Sequence, residues 1–509
     1  MAPTLGSTDD PVSYCRCVAI DTRASGFDIV IVGAGSAGCV LASRLTEDAS
    51  CRVALLEAGP ALRLDERPPE LRRLSLPVAW PWDWDDHVGA SGRHHFYGRG
   101  RGLGGSSATN GAVALRPEPA DCDRWPTGWR WDDLLPALCA IEHDLDFGDR
   151  PWHGDAGPVP IVRWPESEWN AMQTGFVTGA LALGLPTCAD HNEPHTTGVG
   201  PVPMNRRGRQ RISTHESHLE PARSRPNLVV LGDAHARRVV MHSNRAVGVE
   251  LLDGRIIHAE QVIVAAGTIQ DPLLLWRSGV GPASRLRALG VDPVVDLPDV
   301  GAHLTDHMVV NHTIGIRPES IPDDAPSLQT ILRTTAPDSD RHHDLQLTPW
   351  VRRHGDGRRE LGVSVALQLP EGEGSVTPTG DDLLGPADIR WAFTELPANI
   401  GRLREGWRLA AMIARASGVV LDPRDADADL ARSSDEIDEL VRTTHAVFYH
   451  GVGTCRMGDD GEDRVVDTDC AVVGVDGLFV VDASVIPTVP RTNTNLAAMA
   501  VAEHFVRRR

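Results

Sequence analysis

The sequence predicts an α/β fold that opens on a dinucleotide-binding βαβ unit. Three observations predict it: a short apolar run at Phe27–Val32, a glycine turn directly behind it, and a second apolar run that ends in a carboxylate. Phe27-Asp28-Ile29-Val30-Ile31-Val32 is β-branched and short, as a parallel strand buried on both faces should be. In Gly33-Ala34-Gly35-Ser36-Ala37-Gly38 the first glycine permits a tight turn. The second lets the backbone approach a pyrophosphate, and the third lets helix and strand pack closely. Val40, Leu41, Arg44 and Leu45 recur at helical spacing within Ser36–Asp48. The N-terminus of that helix offers unpaired N–H groups and a positive dipole end to phosphates. Arg52–Glu57 is the second strand, and Glu57 at its end suits the ribose hydroxyls. Ala58-Gly59 follows, with no adjacent arginine for a 2′-phosphate. This unit alone leaves FAD and NAD both open.

Residues 60–97 are rich in Pro and Trp, with Trp80, Trp82 and Trp84 in one short stretch; they are expected to be irregular and extended, the tryptophans packing a domain boundary in preference to lining a pocket or meeting a cationic substrate. Gly98–Gly111 is a second glycine-rich stretch, and 120–225 mixes helical patterns with turns. Asn227–Leu231 and Val239–Leu252 read as strands, the latter ending at an Asp253-Gly254 turn, and Gln261–Ala266 as another buried strand. Strand patterns of a separate sheet occupy 311–400, broken by the polar loop Arg352–Glu360. Gly401–Ala416 is expected to be helical and Asp422–Asp435 an acidic, solvated connector. A strand at Gly477–Val481 and a helix from Asn495 to Arg507 close the chain.

The 509 residues suffice for two intergrown domains. A net charge of −20 argues against binding nucleic acid through its phosphates. All 50 basic Lys+Arg residues are arginine. That excludes a pyridoxal enzyme, which needs a Schiff-base lysine, and a Walker A loop, which needs a phosphate-binding lysine. The nine cysteines are scattered without a CxxC pair, so neither a zinc site nor a disulfide framework is expected, and a reducing cytoplasm fits. No run of about 18 apolar residues suggests a membrane span. Residues 1–26 carry neither a signal-peptide nor a transit-peptide pattern and read as a flexible tail.

Further segments follow in order along the chain: Gly100-Arg101-Gly102-Leu103-Gly104-Gly105-Ser106-Ser107-Ala108-Thr109-Asn110-Gly111, then Gly267–Gly281, then Leu297–Gly301 with Asp306-His307. His450–Gly458, Val481–Pro487 and Asn493-Thr494-Asn495 complete the set. Together, over nearly the whole chain from Phe27, they resemble the glucose–methanol–choline (GMC) oxidoreductases, the first two segments being similar to that family's first and second signatures. The resemblance implies a Rossmann-like FAD-binding domain (27–150, 226–310 and 441–509) interleaved with an α+β substrate-binding domain built on an antiparallel sheet (151–225 and 311–440). It implies FAD held by Gly33, Gly35, Ser36, Ala37, Gly38, Glu57 and Ala58, then by Gly102, Gly105, Ser106, Asn110, Gly111, Ala112 and Val113 along the flavin. Ala236 would meet the adenine through its backbone, and Asp482, Ala483, Thr494 and Asn495 would complete the site. There are departures. Thr109 stands where choline-oxidase-like members carry a histidine covalently linked to FAD, so non-covalent FAD is expected. Asp271 replaces the usual Ser or Thr before Pro272, and Val473 a frequent histidine.

The implied reaction removes a hydride from the carbon of a small-molecule alcohol, with O2 or another acceptor taking the electrons. The hydroxyl proton then needs a base that titrates near working pH, and histidine fits. His450 is the candidate base, with Asn493, neutral at all working pH values, orienting the substrate oxygen. His307 is expected to shape the site or flank the flavin, a structural role being favoured over a chemical one, and His445 to lie outside the site. No metal is expected. Three other readings use part of the same pattern. A flavin photodecarboxylase shares the fold without a His/Asn pair, an NAD-dependent dehydrogenase shares only the first fingerprint, and a non-catalytic flavoprotein would lack the base.

Overall fold

The computed structural model describes residues 26–74, 83–84, 86–90, 93–314, 321–322, 325–353, 359–380, 383–418 and 423–509. The N-terminal tail up to residue 25, Trp80, Trp82 and the centre of the 352–360 loop lie outside the described residues.

Two large sheets carry the molecule. In the first, Leu228–Leu231, Val53–Leu56, Phe27–Val32 and Ile256–Val264 lie side by side in parallel. Leu478–Val480 joins the far side of Ile256–Val264, also in parallel. The N-terminal half of Ile256–Val264 pairs instead with an antiparallel hairpin, Ala236–His242 and Arg245–Leu251. The single strand expected at Val239–Leu252 is therefore two strands. Ser243, in the turn, has a φ of +56°, within the polar run His242-Ser243-Asn244-Arg245 that separates the two strands. Val30, Ile31, Val53, Ala54, Leu55, Val262, Ile263 and Val264 are fully buried, as an inner parallel sheet requires. Helix Thr494–Arg507 packs against both Ser36–Leu45 and Trp131–Ile141 beside it.

The second sheet is antiparallel throughout, in the order Ala446–Val447, Met308–Ile314, Arg359–Leu367, Leu345–Arg353, Thr330–Thr334, Gly198–Pro201. Its side chains alternate with period two. Leu345, Leu347, Leu361, Val363 and Val365 face helices Pro397–Ala416 and Ala171–Ala182. Gln346, Thr348, Trp350, Asn311 and Ser364 face the other way, toward the first sheet. The fold is thus α/β, with one mainly parallel and one antiparallel sheet. A third, four-stranded sheet joins the hairpin His87–Ala90 and Arg93–Phe96 to Ser375–Pro378 and Ala387–Arg390, so part of the stretch expected to be irregular is paired.

The connector expected at Asp422–Asp435 is largely helical, as Pro423–Leu430 and Ser434–Thr444. Ser433 and Glu436 form a reciprocal capping box, and Ile437 and Val441 are buried one turn apart. The acidic count hid both signals. Among the described residues no helix is long and apolar enough to cross a membrane.

Gly38 shows how tightly the opening unit is built. A Cβ there would lie 1.9 Å from the carbonyl oxygen of Gly33. Gly38→Ala is expected to cost about 1–3 kcal/mol through overpacking, read as a lower urea midpoint; an unchanged midpoint would mean the turn is looser than it looks.

Candidate active site

The parallel strands all point their carboxyl ends at one cleft of about 580 Å³, between the two sheets. Such switch points are where open α/β sheets bind ligands. Val32-Gly33, Leu56-Glu57-Ala58, Ala234-His235-Ala236, Ala265-Ala266-Gly267 and Asp482-Ala483 line the cleft as each strand ends. Three helices begin at its wall, Ser36–Leu45, Gly267–Arg277 and Thr494–Arg507, so three positive dipole ends converge there. Gly35 has no atom within 4 Å of where a Cβ would stand, and Gly267 likewise. Both thus leave open backbone toward the cleft, the cradle a pyrophosphate needs. Ser36 Oγ donates to Asn495 Oδ1 at 2.8 Å, tying the first glycine turn to the last helix.

Most of the expected cofactor residues line this space: Gly33, Gly35, Ser36, Ala37, Glu57, Ala58, Gly105, Ser106, Asn110, Gly111, Val113, Ala236, Asp482, Ala483, Thr494 and Asn495. Three stand behind the wall. Gly38 packs under Gly33, as the third glycine should. Ala112, fully buried at φ +56°, donates its N–H to Asn110 Oδ1 at 2.8 Å and so holds the shape of that loop. Gly102 (φ +148°) accepts from Gly105 N–H at 2.8 Å. Glu57 accepts N–H bonds from Ala34 (2.8 Å) and Gly59 (3.0 Å). Its carboxylate thus binds its own turn, and burial pushes its pKa up. Asp271 accepts from Ala266 N–H (2.7 Å) and Ser484 Oγ (2.8 Å). Burial and the neighbouring Asp482 carboxylate push it well above the ordinary carboxyl range. Thr109 lines the cleft. So does Trp84, edge-on to His235 at 5.2 Å, in the cleft between the two sheets. Val473 packs at the edge of the main core.

At the opposite end, where the antiparallel sheet faces the cleft, His450 and Asn493 meet. Asn493 Nδ2 lies 3.0 Å from His450 Nε2. His307 lies on the other side of the ring, its Nδ1 2.9 Å from His450 Nδ1 and its Nε2 2.9 Å from the Pro490 carbonyl oxygen. Beneath them Asp306 is fully buried. Its Oδ1 accepts the backbone N–H of both His307 (2.6 Å) and His450 (2.9 Å), and its Oδ2 accepts the Tyr97 hydroxyl at 2.5 Å. Burial raises Asp306 to about 6. Arg99 stacks over Tyr97 at 4.4 Å and donates to the Tyr449 carbonyl oxygen at 3.0 Å. Arg491 pins the loop before Asn493 by donating its N–H (3.1 Å) and Nη1 (2.6 Å) to Asp121. Burial, followed by His307 and Arg99, holds His450 well below the usual histidine range; burial holds His307 at about 4. Both rings are therefore neutral at physiological pH. Asp306, Tyr97 and Arg99 carry no family-independent sequence signal. His445 is buried outside the cleft against the Val441 carbonyl. Among the described residues, no group of His, Cys, Asp and Glu is arranged to hold a metal ion.

Family models of GMC oxidoreductases match residues 27–309 and 370–502. The chain belongs to the GMC oxidoreductase family. It is accordingly an oxidoreductase. The chain is 32% identical to the 5-(hydroxymethyl)furfural oxidase of Methylovorus sp. strain MP688, covering 94% of this chain and 97% of that one. It is 32% identical to an oxygen-dependent choline dehydrogenase of Burkholderia pseudomallei, covering 95% and 93%. The crystal structure of pyridoxine 4-oxidase from Mesorbium loti superposes with a TM-score of 0.83 at 30% identity, covering 95% of this chain and 99% of that one.

The buried neutral histidines make an acid-stability prediction. Burial lowers His218 to about 3, so it stays uncharged in the fold while the unfolded chain protonates near pH 6.5. A depressed folded pKa means stability is complete above pH 6.5 and is lost as pH falls toward 3. Between pH 6.5 and 5 that loss is about 2 kcal/mol. His218→Gln should therefore lose about 2 kcal/mol less than the unaltered protein over that interval in urea titrations; parallel pH profiles would contradict it.

Proposed function

We propose that the protein oxidises the CH–OH group of a small-molecule alcohol to a carbonyl, with FAD in the cleft, His450 as the base and Asn493 orienting the substrate oxygen. The observation that carries this reading is the 3.0 Å approach of Asn493 Nδ2 to His450 Nε2 at the end of a cleft begun by the dinucleotide turn. The relatives named for 5-(hydroxymethyl)furfural, pyridoxine and choline support an alcohol as substrate.

Bound FAD supplies a two-electron acceptor for the hydride leaving the carbinol carbon. The rest falls to this chain. Gly35, Gly267 and the three helix N-termini suit the pyrophosphate, and Gly105, Ser106, Asn110 and Gly111 lie along the same wall. The hydroxyl oxygen of the substrate takes a hydrogen bond from the Asn493 amide, and its proton passes to the bare Nε2 of His450. Loss of that proton turns the C–O bond toward a carbonyl as the hydride departs, so the two electrons leave with the hydride and the positive charge stays on the imidazole. The low pKa of His450 keeps the base form available well below pH 6.5. The cofactor part is read as 27–150, 226–310 and 441–509, and the substrate part as 151–225 and 311–440. O2 or another acceptor reoxidises the enzyme. The described cysteines are all unpaired, which supports a reducing compartment such as the cytoplasm.

His450→Ala is expected to retain FAD but to slow anaerobic flavin bleaching by alcohols at least about a hundredfold; bleaching at the unaltered rate would remove His450 from the reaction. The acid limb of kcat/KM, read in short assays after a pH jump, should fall below pH 6.5 because the free enzyme's base is depressed. Thr109 offers no imidazole for a flavin bond, so acid precipitation should leave the yellow colour in the supernatant rather than in the protein pellet.

A further inference from the structure

We infer that His307 is a positioning residue that dictates which nitrogen of His450 is left bare, so that Nε2 rather than Nδ1 faces the substrate oxygen. The inference rests on His450 being the base and goes beyond it.

The Pro490 carbonyl oxygen, 2.9 Å from His307 Nε2, can only accept, so that nitrogen carries the hydrogen. His307 is fully buried and neutral, with its pKa held near 4 by burial. A neutral ring has one hydrogen on nitrogen, so His307 Nδ1 is a bare acceptor. It stands 2.9 Å from His450 Nδ1. Two bare nitrogens at that distance would repel, so His450 Nδ1 must donate. His450 is neutral too, which leaves its Nε2 without a hydrogen, facing the Asn493 amide at 3.0 Å. Two backbone carbonyls face the His307 ring, those of Pro490 and Gln368; the Pro490 oxygen makes the 2.9 Å hydrogen bond and thereby sets two tautomers in series.

The groups around His450 agree with this order. Asp306 is spent on backbone N–H groups and the Tyr97 hydroxyl rather than on the imidazole. Arg99 is a cation and cannot accept a hydrogen from Nδ1. Phe448, edge-on at 4.7 Å, offers no polar atom. The acceptor for Nδ1–H is therefore His307, and it keeps that bond when Nε2 takes the substrate proton. The imidazolium then forms with its far hydrogen already held, as a second group holds the base in hydrolytic triads. Without His307, the hydrogen on Nδ1 has no partner. The alternative tautomer, with Nε2–H donating to the unpartnered Asn493 Oδ1 after an amide flip, becomes competitive and cannot accept a proton.

The test is a long-range proton–nitrogen NMR spectrum of the FAD-loaded enzyme carrying 15N-histidine, with the His450 signals identified by their loss in His450→Gln. The expected result is a protonated Nδ1 and an unprotonated Nε2 on His450 at pH 7 to 8. His307→Leu should move His450 toward the other tautomer and slow anaerobic flavin reduction about tenfold to a hundredfold at unchanged FAD content. His307→Asn, which returns an acceptor oxygen near the Nδ1 position, should recover part of the rate and of the tautomer. An Nε2-protonated His450 in the unaltered enzyme would overturn the inference, as would His307→Leu reducing at the unaltered rate with an unchanged His450 spectrum. If His307→Leu does not hold FAD, the spectrum of the unaltered enzyme decides by itself. Failure of the base assignment is read separately, in His450→Ala bleaching at the unaltered rate.

Discussion

The geometry of the site depends on one buried carboxyl. Asp306 takes the backbone N–H of its neighbour His307 and that of His450, 144 positions away, on a single oxygen. The direct contact between the two rings and the Phe448 ring packed against both add to this hold. A backbone N–H buried without a partner costs several kcal/mol, so the Asp306 oxygen can be vacated only by disrupting both segments together. The pairing of Thr305 with Val452 through two backbone bonds, 3.1 and 2.9 Å, extends the same register. The side chains that follow, His307 and His450, are carried to within 2.9 Å of each other.

The cleft sits between the sheets because each sheet brings half of what it needs. The parallel sheet ends in backbone, and its loops supply N–H groups, glycines and helix dipoles suited to phosphates. The antiparallel sheet presents a half-polar face, Gln346, Thr348, Ser364 and Asn311 beside Trp350, in alternation with the apolar face that packs on helices. Gly362, directly across from Trp350, has no side chain to oppose the indole; a Cβ there would come within 2.5 Å of it.

Behind Asn493 the packing is ionic. Arg491 meets Asp121, and Arg333 of the antiparallel sheet meets Glu118, which also binds His343 at 2.8 Å. These groups are buried, and Arg333 together with His343 draws Glu118 down to about 2. Buried pairs of this kind contribute little net stability but are strongly destabilising when one partner is lost. Their value here is geometric: they hold the helix start at Asn493 against the antiparallel sheet.

The sequence by itself determined the opening βαβ unit, since an apolar run, a glycine turn and a terminal carboxylate are local patterns with local consequences. It also determined the ends of the last helix to within a residue and, through ordered motifs, the family, and it singled out His450 and Asn493, which meet at one end of the cleft. Tertiary structure decided the remainder. The hairpin at Ser243 turns on one left-handed backbone position within the short polar run His242-Ser243-Asn244-Arg245, and the helices at 423–444 depend on a cap and two buried residues within an acidic stretch. The backbone N–H groups of Ala34 and Gly59 orient the Glu57 carboxylate, and Trp84 joins the lining of the cleft. Above all, no spacing in the chain foretells that His307 lies against His450. That contact follows from a long-range hydrogen bond to Asp306, and a side chain's partners across 144 residues are set by how whole sheets pack, not by the residues beside it.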